Sequence, residues 1–246
     1  MQKIILTLTA IFTCATTFAH TINWYVGDTL LQTTTCESGN SITPPTAPDK
    51  YGYHFVKWKE SYTQIEYLKS TGSQYINTNM YLTSDYTVEA KGIFYCGASA
   101  FGEEGSGFGS GSFILFPACT SGGSNWGYGT VSSTIGELGI NSENVFILKI
   151  DKHGVYRNGT KKISFITSSQ TVTSKKFFLL FATKGSYGWS SNALYYVKIY
   201  DNDVLVRDFI PVLDGDGVPC MYDKVERKFY YNAGTGQFIG GPVIGE

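Results

Sequence analysis

From Ser61 onward turn residues cut the chain into short runs, and that punctuation constrains the fold more than any other feature. The sharpest mark is Asn158-Gly159, set between Val155-Tyr156-Arg157 and Thr160-Lys161-Lys162. A type I′ reversal needs positive φ at both corners, which Asn and Gly tolerate best, so this pair predicts the tip of a hairpin. Asp201-Asn202-Asp203 predicts a second hairpin, between residues 194–200 and 204–211. Between such marks the apolar residues follow period two. In residues 87–95, Val88, Ala90 and Phe94 fall on one face and Glu89 and Lys91 on the other; in residues 145–151, Phe146, Leu148 and Ile150 share a face. Residues 113–116 and 177–182 are continuous apolar runs, as expected for strands covered on both sides. No stretch of useful length repeats with the helical period. This pattern predicts an all-β domain, a sandwich or a barrel. At about 185 residues it can bury about 70% of its unfolded surface and fold alone.

The N-terminus reads differently. Lys3 precedes an apolar run over residues 4–12, which dissolves into small and hydroxylated residues ending Thr17-Phe18-Ala19. A basic start, a short apolar stretch and an Ala-x-Ala-like exit predict a signal peptide over residues 1–19, cleaved after Ala19. The run is too short to span a bilayer, which takes about 20 apolar residues. No other long apolar stretch follows, so no membrane span is expected, and the expected location is extracellular or on the cell surface. Formal net charge is −1, without a charge block, so the electrostatic footprint of a nucleic-acid-binding surface is missing. With 18 tyrosines, 28 glycines and only 16% charged residues, the composition fits a β-rich extracellular chain rather than a helical cytosolic enzyme.

Beyond the leader stand Cys36, Cys96, Cys119 and Cys220. In an oxidising compartment four cysteines allow three connectivities; burial as small apolar residues is the alternative. If one bridge forms, Cys96–Cys119 is the expected pair, because both flank a Gly-rich segment between two predicted strands. No Cys-x-x-Cys occurs, and His20, His54 and His153 stand alone, which argues against a structural zinc site.

Two regions follow the leader, residues 20–60 and 61–246. The first holds two predicted strands, residues 22–26 and 53–58, around Thr43-Pro44-Pro45-Thr46-Ala47-Pro48, whose prolines exclude a helix or a central strand. Its run Gly39-Asn40-Ser41-Ile42-Thr43-Pro44-Pro45-Thr46-Ala47-Pro48, followed by Gly52-Tyr53-His54-Phe55-Val56-Lys57-Trp58, resembles the Listeria–Bacteroides repeat. That resemblance implies a small β-grasp-like module of a bacterial surface protein. Only a single copy is present, where the family usually occurs in tandem.

The second region opens with Tyr62-Thr63-Gln64-Ile65-Glu66-Tyr67-Leu68-Lys69-Ser70-Thr71-Gly72-Ser73-Gln74-Tyr75-Ile76-Asn77-Thr78. It closes with Leu194-Tyr195-Tyr196-Val197-Lys198-Ile199-Tyr200-Asp201, Arg207-Asp208-Phe209-Ile210-Pro211, Val218-Pro219-Cys220-Met221-Tyr222-Asp223 and Asn232-Ala233-Gly234-Thr235-Gly236. With the Tyr156-Arg157-Asn158-Gly159 hairpin, these motifs resemble the concanavalin-A-like, laminin-G-type jelly rolls of gut bacteria and their phages. The resemblance implies a two-sheet antiparallel jelly-roll sandwich, a fold that hosts lectins, hydrolases and inert spacers alike.

Catalytic chemistry leaves no trace. Hydrolases on this fold place paired carboxylates at alternate strand positions, but Glu103-Glu104 are adjacent, in a stretch (residues 101–112) read as a Gly-rich connector. No Gly-x-Ser-x-Gly elbow occurs, so no catalytic residue is assigned and a non-enzymatic role is expected. Asn125-Trp126-Gly127-Tyr128 and Tyr187-Gly188-Trp189 sit among Gly and Ser and read as loops. A sugar ring packs its C–H face on Trp or Tyr while polar neighbours meet its hydroxyls. Asn125, Trp126, Tyr128, Tyr187 and Trp189 are therefore the candidate ligand-binding residues, with core-capping rings as the alternative. Calcium is the candidate cofactor, with oxygens from Asp201 and Asp203 or from Asp214 and Asp216, although turn chemistry accounts for both stretches. The expectation is a secreted or surface-displayed carbohydrate-binding protein, or else an adhesive one whose partner is another surface protein; an atypical glycoside hydrolase is the third alternative, which the fold permits.

Overall fold

The computed structural model describes residues 2–9, 19–26, 29–37, 42–49, 51–60, 62–95, 100–103, 112–116, 124–129, 131–135, 138–140, 143–165, 172, 176–182 and 191–244. Among them every regular element is a strand and none is a helix. In chain order these are β1 (Gln2–Thr9), β2 (Ala19–Val26), β3 (Thr29–Glu37), β4 (Tyr53–Glu60), β5 (Thr63–Gln64), β6 (Leu68–Lys69) and β7 (Ile76–Asn77). Next come β8 (Tyr86–Ile93), β9 (Phe101–Glu103), β10 (Ser112–Phe116), β11 (Ser124–Gly129), β12 (Val131–Ile135), β13 (Phe146–Asp151) and β14 (Gly154–Arg157). The last are β15 (Thr160–Ser164), β16 (Phe178–Leu180), β17 (Ala193–Asp201), β18 (Val204–Leu213), β19 (Pro219–Asp223), β20 (Lys228–Tyr230) and β21 (Ile239–Gly240). The chain divides into two compact units, Met1–Thr63 with Leu213–Val218, and Gln64–Val212 with Pro219–Glu246.

In the first unit the strand order is β3-β2-β1-β4. The β2–β3 and β1–β2 pairs are antiparallel and β1–β4 is parallel. Part of the stretch expected as a leader is thus paired as β1 in the full-length chain. β3 was not expected, because its polar side chains hide it. Its threonines are β-branched and suit a strand, and they bond across to β2: Thr33 Oγ1 donates to Asn23 Oδ1 at 2.7 Å, and Trp24 Nε1 donates to Thr34 Oγ1 at 2.9 Å. Ile22 and Trp24 are buried. The Pro-rich residues 42–49 carry no regular structure.

The second unit holds two sheets. The smaller follows β12-β11-β10-β9-β16-β7, antiparallel throughout. Phe101, Phe113, Phe178 and Tyr128 are fully buried on it, Phe113 lying 5.9 Å from Phe178 edge-on and 5.3 Å from Tyr128. Burying such a ring contributes about 1.5–3 kcal/mol, and an aromatic pair about 0.5–1.5 kcal/mol more. The apolar run expected over residues 177–182 is a strand only over Phe178–Leu180. Phe181 turns to φ +66, buries its ring 4.9 Å from Phe238 and gives its N–H to Ala100 O at 3.0 Å. A bulky residue at positive φ is strained and here ends the strand. Residues 101–103 form β9 rather than the start of a connector.

The larger sheet follows β15-β14-β13-β8-β17-β18-β19-β20, with β6 pairing β17 and β21. Its alternation is clean. Val88 and Ala90 of β8, Leu148 and Ile150 of β13, and Val197 and Ile199 of β17 are fully buried, while Glu89, Lys149, Tyr196, Lys198 and Tyr200 between them stay partly exposed. Asn158 (φ +49) and Gly159 (φ +77) form the β14–β15 reversal with Arg157 opposite Thr160, as the sequence predicts. Asn202 (φ +45) and Asp203 (φ +65) turn β17 into β18 without a glycine, since Asn and Asp tolerate the left-handed region.

Two of the sequence motifs close on each other at opposite ends of the unit. Gln74 is buried, accepts at Oε1 from Thr71 N at 2.7 Å, and donates through Nε2 to Thr235 O at 3.0 Å. Asn232 Oδ1 accepts from Gly234 N at 2.8 Å and Tyr75 N at 3.2 Å. A Cβ on Gly234 would lie 2.0 Å from Ser73 O, so the approach admits only glycine.

Candidate functional site

Strand register builds a continuous row on the larger sheet, on the face opposite its buried aliphatic residues, and the row ends at the buried Asp208. Lys161, Tyr156, Lys149, Glu89, Lys198 and Asp208 stand directly opposite one another across β15, β14, β13, β8, β17 and β18. Tyr196 and Tyr200 flank Lys198 on β17, and Lys91 follows Glu89 on β8. Each of these positions lies two residues from the next on its strand, so period two aims them all to one side.

The groups are held in place. Tyr196 donates its hydroxyl to Glu89 Oε1 at 3.0 Å. Burial first, then that bond and the charge of Glu89, push the Tyr196 phenol well above its usual value; burial and the charges of Glu89 and Asp208 raise Tyr200 against the opposing pull of Lys149. Tyr196 thus holds its proton and donates it in a hydrogen bond to Glu89. Lys149 lies 4.0 Å from the centre of the Tyr156 ring and pairs with Asp151 at 3.0 Å. Lys161 sits 5.3 Å from the same ring, Lys198 lies 5.2 Å from the ring of Tyr196, and Lys91 lies 5.5 Å from that of Tyr195. The result is a rigid surface of partly exposed rings, ammonium groups and carboxylates, able to hydrogen-bond hydroxyls and to pack against flat apolar faces.

Farther along β18 the charges turn inward. Arg207 Nε lies 3.3 Å from Asp223 Oδ2, its guanidinium also pairs with Glu226, and Lys224 Nζ meets Asp208 Oδ2 at 2.7 Å. Asp223 is fully buried and its Oδ1 accepts from Asp208 N at 2.9 Å and Val225 N at 3.0 Å. Tyr230 donates to Glu226 Oε2 at 2.5 Å. Every carboxylate here has a cationic or backbone partner, so this cluster ties β18 to β19 and β20. The motif residues Arg207, Asp208 and Asp223 thus serve the fold.

Of the residues expected to bind ligand, the structure places the side chain of Tyr128 alone. Tyr128 is fully buried, with rings of Phe113 and Phe165 at 5.3 and 5.4 Å and its hydroxyl donated to Ser84 O; it belongs to the core. Asn125 and Trp126 lie in β11, opposite Phe116 and Leu115, rather than in a loop; their side chains lie outside the described residues. Tyr187, Trp189, Cys96 and Cys119 fall outside the described residues altogether, and Cys220 is fully buried in β19.

The calcium candidates stand at or beside turns, Asp201 as the last residue of β17. Asp214 Oδ1 accepts from Asp216 N at 3.0 Å and Val218 N at 2.9 Å, and Asp201 Oδ1 accepts from Asn202 Nδ2 at 3.0 Å; Asp203 is an exposed corner of the β17–β18 reversal. Among the described residues no three His, Cys, Asp or Glu side chains converge as a metal site would require, and no helix is long and apolar enough to cross a membrane.

Aromatic residues among Gly and Ser stand out in the sequence, whereas those of the sheet face are spread over separate strands. The signal was present in β17, where Tyr196, Lys198 and Tyr200 alternate with Val197 and Ile199. Compared with family models, curated proteins and solved structures, the chain finds no match.

Proposed function

We propose that this chain is an exported, lectin-like recognition protein that binds carbohydrate without transforming it. In this reading the second unit is a concanavalin-A-like jelly-roll sandwich, and the first is a β-grasp-like spacer or docking module. One observation carries it: Tyr156, Tyr196 and Tyr200 stand on a single sheet face, interleaved with Lys149, Lys198 and Glu89. Sugar C–H faces pack on such rings, and the charged groups meet hydroxyls in fixed positions. The leader-like N-terminus supports export, where glycans are the available ligands. N-terminal sequencing of protein recovered from culture medium is expected to start at His20. A glycan array tests the binding. Tyr156→Ala and Tyr196→Ala are expected to remove the signals of the parent protein, and an unchanged profile in both variants contradicts the reading.

A second reading, adhesion to another surface protein, draws on Val204 and Leu205. They are 64% and 37% exposed at the hairpin tip, Leu205 standing opposite Tyr200. Under it the array stays blank, and Val204→Asp rather than Tyr156→Ala disrupts attachment to cells.

A further inference from the structure

The charge on the tyrosine face is lopsided, and the imbalance bears on which carbohydrate it takes. Glu89 accepts the Tyr196 hydroxyl, Asp208 is paired with Lys224 at 2.7 Å, and Asp151 with Lys149 at 3.0 Å. Asp208 and Asp151 are thus neutralised by lysines, which leaves Glu89 as the one acid of the row with its charge in place. Lys161, Lys198 and Lys91, by contrast, form no ion pair among the described residues. Their ammonium groups lie near Tyr156, Tyr196 and Tyr195, and an aromatic ring leaves their full charge in place. In a chain of net charge −1 this surplus is a local feature, not a consequence of composition.

Spacing adds a second argument. In the row across the sheet, lysines occupy β15, β13 and β17, every second strand, with Lys161 and Lys198 unpaired among the described residues at the two ends and Lys149 between them shared with Asp151. Strands lie about 4.8 Å apart, so the cations recur at about twice that distance along a row about 24 Å long. A pyranose ring with its glycosidic oxygen spans close to one strand spacing. A polysaccharide laid across the strands would bring a sugar to each strand and an anion on alternate sugars to each lysine, while Tyr156 meets the ring between two of them.

We propose that the ligand of this face is an acidic polysaccharide, carrying carboxylate or sulfate groups, bound across β15, β14, β13, β8 and β17. This rests on the carbohydrate reading above and narrows it. Carboxylate and sulfate present the same chemistry to an ammonium group, so the test carries one polymer of each.

The experiment is calorimetric titration of the full mature chain with polygalacturonate, a sulfated galactan, a neutral galactan of similar length and inorganic polyphosphate. The acidic polymers are expected to bind more tightly than the neutral one, with affinity falling as salt rises because the partly exposed lysines are screened. Lys161→Gln and Lys198→Gln are each expected to weaken acidic-polymer binding about tenfold, the loss of one charge-assisted hydrogen bond. Lys161→Arg, which keeps the charge, is expected to retain most of it and so separates lost contact from lost folding. Equal affinity for neutral and acidic galactans, unmoved by the lysine variants, overturns this proposal and leaves the carbohydrate reading standing. Polyphosphate binding as tightly as the acidic glycans, with Tyr156→Ala without effect, also overturns it, as a polyanion patch indifferent to sugar. Heat from none of the glycans overturns both readings.

Discussion

In the smaller sheet Phe101, Phe113, Phe178 and Tyr128 bury their rings against one another, while in the larger sheet Tyr156, Tyr196 and Tyr200 keep theirs on the face away from the core. The two sheets spend similar aromatic side chains on different tasks, and what separates them is the company each ring keeps along its strand. On β10 and β16 the neighbours are apolar, and Phe178, Leu179 and Leu180 are all buried. On β17 Tyr196, Lys198 and Tyr200 alternate with the buried Val197 and Ile199, so the inner face already supplies the packing and the outer one is free to carry polar work. A rigid strand is also a better platform than a loop, since the scaffold has already lost the entropy that a binding loop must give up on ordering.

The sharpest way to break this contrast is to truncate a ring on each sheet. Phe113→Ala is expected to cost about 4 kcal/mol, transfer free energy plus a cavity that the surrounding rings cannot fill. Tyr156→Ala is expected to cost less than about 1 kcal/mol, because its ring is partly exposed already. Urea denaturation compares the two, and equal losses would erase the distinction between core and working face. Next in size is Asp223→Ala, expected to cost about 3 kcal/mol by leaving Arg207 with its charge poorly compensated at a partly buried site. Pairing it with Arg207→Met is expected to restore part of that loss.

Two glycines on the larger sheet test its hairpins. Gly159→Ala meets no atom within 4 Å but must hold φ +77, so about 1 kcal/mol is expected. Gly154→Ala is expected to cost more, because its φ is +149 and the added Cβ would sit 1.9 Å from Ile163 O. Thermal melts of the two variants rank them.

The smallest expected effects concern the phenols. Tyr196→Phe removes the bond to Glu89 and is expected to cost about 1 kcal/mol. Tyr128, Tyr196 and Tyr230 all have phenols raised above their ordinary value, with burial the largest cause in each. The folded state therefore holds these protons more tightly than the unfolded chain. Their contribution is fully present below the unfolded value of about pH 10 and is lost as pH rises through the higher folded values. Denaturation midpoints are expected to fall above about pH 10, less steeply in Tyr196→Phe.

Parts of this structure are plain in the sequence. Asn158-Gly159 could adopt its two positive φ angles with little cost, and Val88, Ala90, Leu148 and Ile150 announce their face by period two. β3 was hidden because its pairing rests on threonine hydroxyls and backbone rather than on apolar alternation. Tyr128 was misplaced because Gly127 and Gly129 beside it imitate a loop, whereas in β11 they flank a buried ring. The tyrosine face was legible only strand by strand. Tyr156, Lys149, Glu89 and Lys198 come from four strands, and only their register makes them a row.

The central claim is that ligand lies across the polar face of the larger sheet. It is tested most directly by titrating an acidic polysaccharide into isotope-labelled protein and mapping the amide resonances that move. Shifts centred on Glu89, Lys149, Tyr156 and Lys198 are the predicted result. Shifts confined to the segments around Trp126 and Trp189, with those four amides unmoved, would contradict it.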